Sequence, residues 1–291
     1  MRRVILLRLI SRFPYRWRSA LGALLGSIFG FLPLREQRVA RGQIRKFLGV
    51  PHPRSIARGV FSHIGRLAAE SLNLHPALQS GVCDIYSDSA DLVRELSEDR
   101  KPVLALTAHF GNWELMAAYI AEIGFEIVTV GREIRHAGLQ QFIEESRSQL
   151  GIRTIWRGGL SGQRQLIQEM KNGKVVAALI DQDTRVHGQD SQFFGHYVTT
   201  PSSMIDLALR YNARIVTAFN YRLESGRYII EIEEVKEERE TQAIIDTYNS
   251  RLENIIQRYP EQWVWFHKRW RTLPDGKRLS SSEYMELLAH A

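Results

Sequence analysis

Residues 103–116 read VLALTAHFGNWELM, and this stretch contains the pattern that decides the fold class. A short apolar run leads to His109, a turn follows, and Glu114 comes five positions later, where a helix should begin. A short apolar run bounded by turn residues is typical of a buried strand. Gly111 permits a tight turn, and Asn112 is a favourable residue at a helix N-terminus. The stretch therefore predicts a strand, a turn and a helix, with His109 at the carboxyl end of the strand.

The same alternation of short apolar runs and helical patterns continues through the rest of the chain. It predicts an α/β fold with a largely parallel central sheet covered by helices. The last two strands are expected to form a hairpin at the edge of the sheet, and residues 35–97 are expected to be helical and to pack on the sheet. The predicted strands read VLALTAH (103–109), FEIVTVGR (125–132), IRTIW (152–156), KVVAALIDQD (174–183), RIVTAFNY (214–221) and YIIEIEEV (228–235).

Four prominent side chains fall at the ends of predicted strands: His109, Arg132, Trp156 and Asp181. In open α/β sheets, ligands bind beyond the carboxyl ends of the strands. Because neighbouring parallel strands end at the same edge, residues at these positions come from distant parts of the chain but lie on one side of the sheet. We therefore expect the functional site at this edge, around His109.

The composition limits the class of protein. The chain has 291 residues, of which 44% are hydrophobic and 24% charged, and this is typical of a globular protein. Its single cysteine, Cys83, excludes an intramolecular disulfide framework and a cysteine-rich metal site, and it favours a reducing compartment. We expect Cys83 to be a small buried hydrophobic residue rather than a nucleophile.

The formal net charge of +7 is unevenly distributed along the chain. Residues 1–66 contain 14 Lys and Arg side chains and one acid, Glu36, whereas residues 67–291 contain 25 bases and 31 acids. A basic segment on a mildly acidic body needs an anionic partner, such as anionic lipid, an acidic protein or nucleic acid. The sequence has no zinc-finger, RRM or KH pattern, and its basic residues interleave with aliphatic runs, so nucleic acid is not expected.

Residues 19–34, SALGALLGSIFGFLPL, carry no charge and have arginines on both sides. As a helix this segment spans about 24 Å, which is shorter than the ~30 Å hydrocarbon core of a bilayer. We predict that residues 1–34 are a basic membrane-associated arm and that residues 35–291 are a single α/β domain. The helix of the arm either lies in the interface or enters one leaflet, or it spans the bilayer with its flanking arginines snorkelling to the surface. Glycines recur every fourth residue from Gly22, which predicts close helix packing, either in lipid or on the protein's own body.

His109 and Glu114 allow two interpretations. They can be a general base and the carboxylate that fixes its tautomer. They can also be ordinary boundary residues, since the helix dipole alone favours Glu in a first turn. The sequence has no G-x-S-x-G elbow, Walker A segment, H-E-x-x-H motif or Rossmann glycine pattern. If the pair is catalytic, direct attack by a bound hydroxyl group is therefore favoured over a covalent enzyme intermediate.

HFGNWE (109–114) resembles the H-x4-(D/E) box of the glycerolipid and lysophospholipid acyltransferase superfamily. The surrounding sequence is similar, more specifically, to the bacterial lipid A late acyltransferases, which transfer lauroyl and myristoyl groups. The resemblance covers nearly the whole chain, including the basic N-terminus with its hydrophobic helix, and the H-x4-E box alone would be a weak signal. Three further stretches carry it in the family's order: GREIRHAGLQQFIEESRSQLGIR (131–153), ALIDQD (178–183) followed by QFFGHYVTTPSSMIDLALRYNARIV (192–216), and RYPEQWVWFHKRWRT (258–272).

The resemblance implies that His109 is the general base, that Glu114 orients it, and that an acceptor hydroxyl attacks the thioester of an acyl carrier. Among the candidate binding residues, the basic side chains are expected to bind phosphate or the oxyanion, and the others to shape the acceptor pocket without a metal. No cofactor is expected, and the acyl chain should occupy an apolar tunnel near His109. The candidate binding residues are Arg132, Arg147, Arg164, Asp181, Gln182 and Asp183.

The same resemblance implies the partners and the location. The donor is expected to be acyl carrier protein or acyl-CoA, the acceptor a lipid A precursor or another glycolipid, and the location the cytoplasmic face of the bacterial inner membrane. A glycerophospholipid acyltransferase is the alternative enzyme, although no E-G-T-R-type phosphate-binding segment follows the histidine box. A non-catalytic membrane lipid-binding protein is the alternative from another class. The acceptor hydroxyl and the acyl chain length do not follow from the sequence.

Overall fold

The computed structural model of the protein describes residues 7–99, 101–134, 136–157, 159–236 and 239–289. A seven-stranded sheet forms its centre, in the order β1-β9-β8-β2-β5-β3-β4. All neighbouring strands in this sheet are parallel except the antiparallel pair β8 and β9. The prediction of an α/β fold with a largely parallel sheet is therefore confirmed. The strands are β1 (Cys83–Ile85), β2 (Val103–Thr107), β3 (Ile127–Arg132), β4 (Ile152–Arg157), β5 (Val175–Leu179), β6 (Gly188–Phe193), β7 (His196–Pro201), β8 (Arg214–Arg222) and β9 (Tyr228–Glu234).

Helices cover the sheet and alternate with its strands, as the sequence predicted. The turn after β2 leads directly into α6, and the strands β3, β4 and β5 are each preceded by a helix of the alternating pattern. The helices are α1 (Tyr15–Phe29), α2 (Arg35–Phe47), α3 (Arg54–Glu70), α4 (His75–Gln79), α5 (Ala90–Asp99), α6 (Trp113–Glu122), α7 (Ala137–Ser148), α8 (Gly159–Lys171), α9 (Ser203–Arg210), α10 (Thr241–Arg258) and α11 (Ser281–Ala289).

Two features of the sheet differ from the predictions. The hairpin β8–β9 was expected at an edge, but β1 pairs in parallel outside β9, so the prediction of an edge hairpin was wrong. β1 is only three residues long and lies in the segment that was predicted to be helical. A second, separate hairpin, β6–β7, was not predicted, and its turn contains Phe194 and Gly195 with φ angles of 51° and 70°.

The central strand β2 is buried on both faces, and its alternating side chains contribute to two different cores. Leu104 and Leu106 face a core that includes α10 and the buried tryptophans of the C-terminal segment. Val103 and Ala105 face a smaller core on the side of α6, which also contains the buried Cys83. Side chains alternate across a strand, so His109 belongs to the α6 side of the sheet. Burial raises the pKa of the Cys83 thiol to about 12, in accord with the expected hydrophobic role.

The N-terminal helix α1 packs on α3 through glycines. A Cβ atom at Gly22 would lie 2.4 Å from the carbonyl oxygen of Gly65, and one at Gly26 would lie 2.1 Å from that of Phe61. Of the two alternatives for the glycine face, the structure thus has it on the protein's own body. The opposite face carries exposed apolar side chains, with Trp17 73% exposed. Within the described ranges, every helix is too short or too polar to cross a bilayer.

Candidate active site

His109 meets a carboxylate from the neighbouring strand. β2 and β5 are paired with Thr107 opposite Leu179, so the residues two positions further on, His109 and Asp181, leave the sheet side by side. His109 Nδ1 lies 2.8 Å from Asp181 Oδ1, and the backbone N–H of His109 donates to Asp181 Oδ2 at 3.0 Å. The Asp181 side chain is fully buried, whereas 27% of the His109 side chain is exposed. The edge of the sheet therefore carries a partly exposed imidazole held by a buried carboxylate.

The surroundings of Asp181 keep it ionised. Burial alone would raise the pKa of this carboxyl, but interactions with His109 and His267 hold it well below its usual range. Trp263 Nε1 adds a hydrogen bond to Oδ2 at 2.9 Å. An ionised carboxylate only accepts, so the proton of a neutral His109 is on Nδ1 and the lone pair is on Nε2. This is the tautomer that a general base needs.

Glu114 has a different partner from the one that the sequence indicated. Its Oε2 accepts from Arg147 Nε at 3.0 Å, and its Oε1 accepts from Arg147 Nη2 at 2.6 Å. Arg147 Nη1 also donates to Thr154 Oγ1 at 3.0 Å. The physical reason is that Glu114, in the first turn of α6, faces the guanidinium from α7, while Nδ1 of His109 is already occupied by the carboxylate at the end of β5. In this structure the orienting contact predicted for Glu114 is therefore made by Asp181.

The turn between His109 and α6 has the predicted glycine and cap. Gly111 has a φ of 60°, and a Cβ atom there would lie 1.8 Å from the carbonyl oxygen of Asn220. Asn112 caps α6, because its Oδ1 accepts from the backbone N–H of Leu115 at 3.0 Å. The C-terminal segment holds the turn from the other side, with the Gly111 N–H donating to the Gln262 carbonyl at 2.9 Å. A larger residue than glycine cannot occupy position 111 without moving this backbone.

The other predicted binding residues divide into two groups. Gln182 lies at the site, with its Nε2 3.1 Å from Nδ1 and 3.3 Å from Nε2 of His109. Asp183 points elsewhere and binds the C-terminal segment, accepting from Thr272 Oγ1 at 2.8 Å and pairing with Arg278 at 3.0 Å. Arg132 ends β3 and Arg164 lies on α8, and both are exposed. Of the three candidate arginines, Arg147 is the one whose contact with Glu114 brings it to the site.

His267 and Trp263 are parts of the site that the sequence argument did not single out as site residues. Both come from the stretch RYPEQWVWFHKRWRT, which is one of the stretches that carry the family resemblance. That resemblance was the signal in the sequence that could have pointed to them. His267 Nε2 lies 3.6 Å from Asp181 Oδ2, and the rings of His267 and His109 are 6.1 Å apart. Burial lowers the pKa of His267, although Asp181 partly opposes this effect. His267 is therefore a neutral imidazole beside the carboxylate that His109 uses.

Among the described residues, His109, Asp181 and His267 form a group of side chains that could hold a metal ion. One atom each from His109, Asp181 and His267 lie within 4.8 Å of one another. Both oxygens of Asp181 already accept hydrogen bonds, from the imidazole and backbone of His109 and from Trp263. A metal ion would have to break the contact between His109 and Asp181, so the geometry fits a hydrogen-bonded acid–base pair better than a metal centre. The expectation of a site without metal stays a prediction.

An apolar cavity of about 200 Å³ starts at this site and lies between the sheet and α6. Its polar lining residues include His109, Glu114 and Arg147 at the carboxyl edge of the sheet. The other end is lined by Val103, Val175 and further apolar side chains at the beginnings of the strands. His109 and Val103 are six positions apart on one chain, which corresponds to about 20 Å in an extended strand. The cavity therefore offers a hydrocarbon-lined space whose mouth is the polar site.

Comparison with known proteins gives a family match over nearly the whole chain. The family model described as bacterial lipid A biosynthesis acyltransferase matches residues 3–272. A short region is also similar to the geranylgeranyl transferase type-2 subunit alpha of Dictyostelium discoideum, with 35% identity over 80 residues. That alignment covers 27% of this chain and 25% of the other protein, so the chain spans about a quarter of that relative's length. The family match includes every residue of the site described above.

Proposed function

Because the chain belongs to the bacterial lipid A biosynthesis acyltransferase family, we propose that it moves a fatty acyl chain from a thioester donor to a hydroxyl group of a lipid A precursor or a related glycolipid. The observation that carries this proposal is the contact between His109 and the buried Asp181 at the mouth of an apolar cavity. A base for a hydroxyl group and a space for an alkyl chain are the two things that this reaction needs at one place.

In the proposed mechanism His109 is the general base. Its Nε2 takes the proton of the acceptor hydroxyl as the oxygen attacks the carbonyl carbon of the thioester. The C–O bond forms, the C–S bond breaks, and the proton passes from His109 to the departing thiolate. Asp181 stabilises the imidazolium that exists between these steps and keeps the ring in one orientation. The enzyme needs no covalent acyl intermediate and no cofactor for this sequence.

We propose a separate role for Glu114. Its two hydrogen bonds fix the guanidinium of Arg147 at the cavity mouth, where Arg147 is 18% exposed. A fixed guanidinium can bind a phosphate of the substrate or stabilise the oxyanion of the tetrahedral intermediate. Gln182 is a second candidate donor for that oxyanion, since its amide lies beside His109. In this mechanism the two acidic residues act on different parts of the reaction.

The cavity is proposed to hold the acyl chain. Small side chains on three adjacent strands, Ala105, Ala177 and Ala218, leave the space, and α6 covers it. Its floor is formed at the beginnings of the strands, near Val103 and Phe125. A chain with its thioester carbon beside His109 would extend along the strands to this floor. The floor would then set the preferred acyl length.

The N-terminal region supports the proposed partners. The outer face of α1 and the turn after it expose Trp17, Leu21, Leu24, Ile28 and Phe31 to solvent. Arginines lie before and after this face, which suits an anionic lipid surface. We propose that α1 lies in the membrane interface with its glycine face on α3, at the cytoplasmic side of the bacterial inner membrane. The basic charges of residues 1–66 also suit an acidic acyl carrier protein, and acyl-CoA is the alternative donor.

Mass spectrometry of membrane lipids tests the function directly. The chain and its His109→Ala variant are expressed in a bacterial host that lacks its own late acyltransferase. We expect one added acyl group on the lipid A precursor with the original chain and a 10²- to 10⁴-fold lower rate with the variant, about what one acid–base group contributes. New acyl groups on glycerophospholipids instead would support the alternative enzyme. Lipids unchanged by a folded, membrane-bound chain would support a lipid-binding protein.

A further inference from the structure

A buried carboxylate outside the cavity connects the catalytic turn to the rest of the protein. Glu70, at the end of α3, is fully buried and accepts hydrogen bonds from three elements. Its Oε1 accepts from Ser19 Oγ on α1 at 2.7 Å. Its Oε2 accepts from Asn112 Nδ2 at 2.8 Å and from the Tyr228 hydroxyl on β9 at 2.9 Å. Burying a carboxylate this completely costs free energy unless its oxygens accept hydrogen bonds. The folded protein therefore depends on these three contacts.

The same helix makes a second contact with the turn. His63 lies seven residues before Glu70 on α3, so the two side chains project from one face of the helix. The Nε2–H of His63 donates to the carbonyl oxygen of Gly111 at 2.9 Å, and this imidazole is also buried. α3 therefore holds two residues of the turn, Gly111 through its carbonyl and Asn112 through its side chain.

Asn112 is at the centre of this arrangement because three of its polar atoms are hydrogen-bonded to different parts of the protein. Its Oδ1 caps α6, its Nδ2 donates to Glu70, and its carbonyl oxygen accepts from Asn220 Nδ2 at 2.9 Å. The cap fixes where α6 begins, and the backbone between Asn112 and His109 is only three peptide bonds long. A displacement of Asn112 therefore moves the backbone that carries the imidazole.

We propose that Glu70 and His63 are positioning residues, through which α3 holds the turn between His109 and α6 in the geometry that the reaction needs. The inference rests on the proposed function insofar as His109 is the base. Neither residue touches the cavity, so neither binds a substrate. Their effect is expected on kcat, because a base displaced by about 1 Å can lose a factor of ~10² in rate while substrate binding is kept.

The contact with Ser19 extends this arrangement to the N-terminal helix. Ser19 lies on the inner face of α1, whose outer face is the apolar surface proposed to meet lipid. Glu70 Oε1 binds this helix and Oε2 binds the catalytic turn, so one side chain joins the two. Loss of the Ser19 hydroxyl should therefore loosen the turn less than loss of the carboxylate, but in the same direction.

The first test compares Glu70→Gln with Glu169→Gln in the full chain. Glu169 on α8 is also a buried glutamate, only 3% exposed, but it pairs with Arg153 on β4 and with Lys174 just before β5, away from the turn. An amide in place of the Glu70 carboxylate removes one acceptor oxygen, so either Ser19 or both Asn112 and Tyr228 lose their acceptor. We expect a 10- to 100-fold lower kcat with a nearly unchanged KM for the lipid acceptor, and faster hydrogen exchange in the peptide covering residues 109–116. Glu169→Gln should change the thermal midpoint but neither of these.

The second test uses a milder pair of variants in case Glu70→Gln does not fold. Ser19→Ala removes a donor to Glu70, whereas Ser62→Ala removes the hydrogen bond from Ser62 Oγ to the Ala23 carbonyl, which joins the same two helices without touching Glu70. We expect a several-fold lower kcat and faster exchange of the 109–116 peptide for Ser19→Ala alone. Unchanged exchange of this peptide in both Glu70→Gln and Ser19→Ala would overturn the inference whatever the activity. Faster exchange with an unchanged kcat would overturn it too, and because His109→Ala is measured separately, neither result is confused with failure of the proposed function.

Discussion

Two carboxylates lie near the turn that follows His109, and they differ in how the fold brings them there. Glu114 is five residues from His109 along the chain, and both its oxygens bind Arg147. Asp181 is 72 residues away, and its oxygens bind the imidazole and the backbone of His109. The carboxylate that is nearer in sequence thus binds the arginine. The carboxylate that is more distant in sequence binds the imidazole.

The difference follows from the geometry of the elements. β2 and β5 are neighbours in register, so the residues two positions beyond their paired ends, His109 and Asp181, meet at hydrogen-bonding distance. Glu114 is separated from His109 by a turn with a left-handed glycine, after which α6 starts in a new direction. In an α/β protein, strand adjacency can therefore determine the partner of a strand-end residue more strongly than spacing along the chain.

The variant with the largest expected effect, Asp181→Asn, distinguishes the roles of the two carboxylates. Asp181→Asn keeps the shape of the side chain but replaces an acceptor-only group, so Nδ1 of His109 is no longer held as the donor. We expect kcat to fall by 10²- to 10⁴-fold, about what a general base contributes, with the circular dichroism spectrum preserved. The rate is measured with purified lipid acceptor and acyl carrier thioester. Near-normal activity in this variant, with loss of activity in Glu114→Gln, would reverse the assignment and restore Glu114 as the partner.

The next effect concerns the stability of the turn rather than the chemistry. Burial, together with nearby Arg66 and Arg222, lowers the pKa of His63 to about 4, although the Gly111 carbonyl and Glu70 oppose this effect. In the unfolded chain its pKa is about 6.5, so between these values the unfolded state binds a proton that the native state does not. Stability is therefore full above pH 6.5 and falls as the pH decreases towards 4.

We expect His63 to account for a loss on the order of 2 kcal/mol in the free energy of unfolding between pH 7.5 and pH 5. The measurement is urea unfolding at both pH values for the original chain and for His63→Asn, which cannot take up this proton. His267 also has a lowered pKa, so the difference between the two proteins is the informative quantity. An equal acid-induced loss in both would show that His63 does not cause it. Asp181 stays ionised over this pH range, so its carboxyl group does not contribute to the acid-induced loss of stability.

The sequence predicted most of the sheet, the helices, the turn and the position of His109 after a strand, because these depend on local patterns. The run before His109, the glycine at 111 and the cap at Asn112 can each be read within a few residues. The partner of His109 could not be read in this way, since it depends on which strand lies beside β2. β5 lies beside β2 in the sheet, although β3 and β4 come between them in the sequence.

The short elements were missed for a related reason. β1 has only three residues, and its pairing with β9 depends on a segment almost 150 residues further along the chain. His267 likewise joins the site through the C-terminal segment, whose bridge between Phe110 and Trp263 brings it against the turn that follows His109. Such long-range contacts leave no periodic signal in the residues that make them.

A smaller effect is expected for the other carboxylate. Glu114→Gln removes one charge of the contact with Arg147 and leaves His109 with Asp181. We expect about a tenfold lower kcat/KM, near the lower end of what a charge-assisted hydrogen bond contributes. Arg147→Lys keeps the positive charge but loses the paired hydrogen bonds, so it should resemble Glu114→Gln. If Glu114→Gln were as inactive as Asp181→Asn while Arg147→Lys were normal, Glu114 would have a role beyond holding the arginine.

The smallest expected effect leaves both contacts intact and changes the cavity behind them. Ala177 lies midway along β5 and lines the cavity, so Ala177→Leu should block its inner part. Phe125 lines the far end, and Phe125→Ala should open it. Each methylene that gains or loses burial is equivalent to about 0.8 kcal/mol, or roughly fourfold in relative rate. We expect Ala177→Leu to favour shorter acyl donors and Phe125→Ala longer ones.

The measurement is the ratio of kcat/KM values for a series of acyl carrier thioesters of increasing chain length. Each variant is the control for the other, because a general loss of stability or activity lowers all the rates and leaves the ratio unchanged. Opposite shifts would place the acyl chain between the sheet and α6, with its reactive end at the polar mouth. Unchanged ratios in both variants would mean that the chain lies elsewhere, and the two contacts at the mouth would then have to be assigned to the acceptor alone.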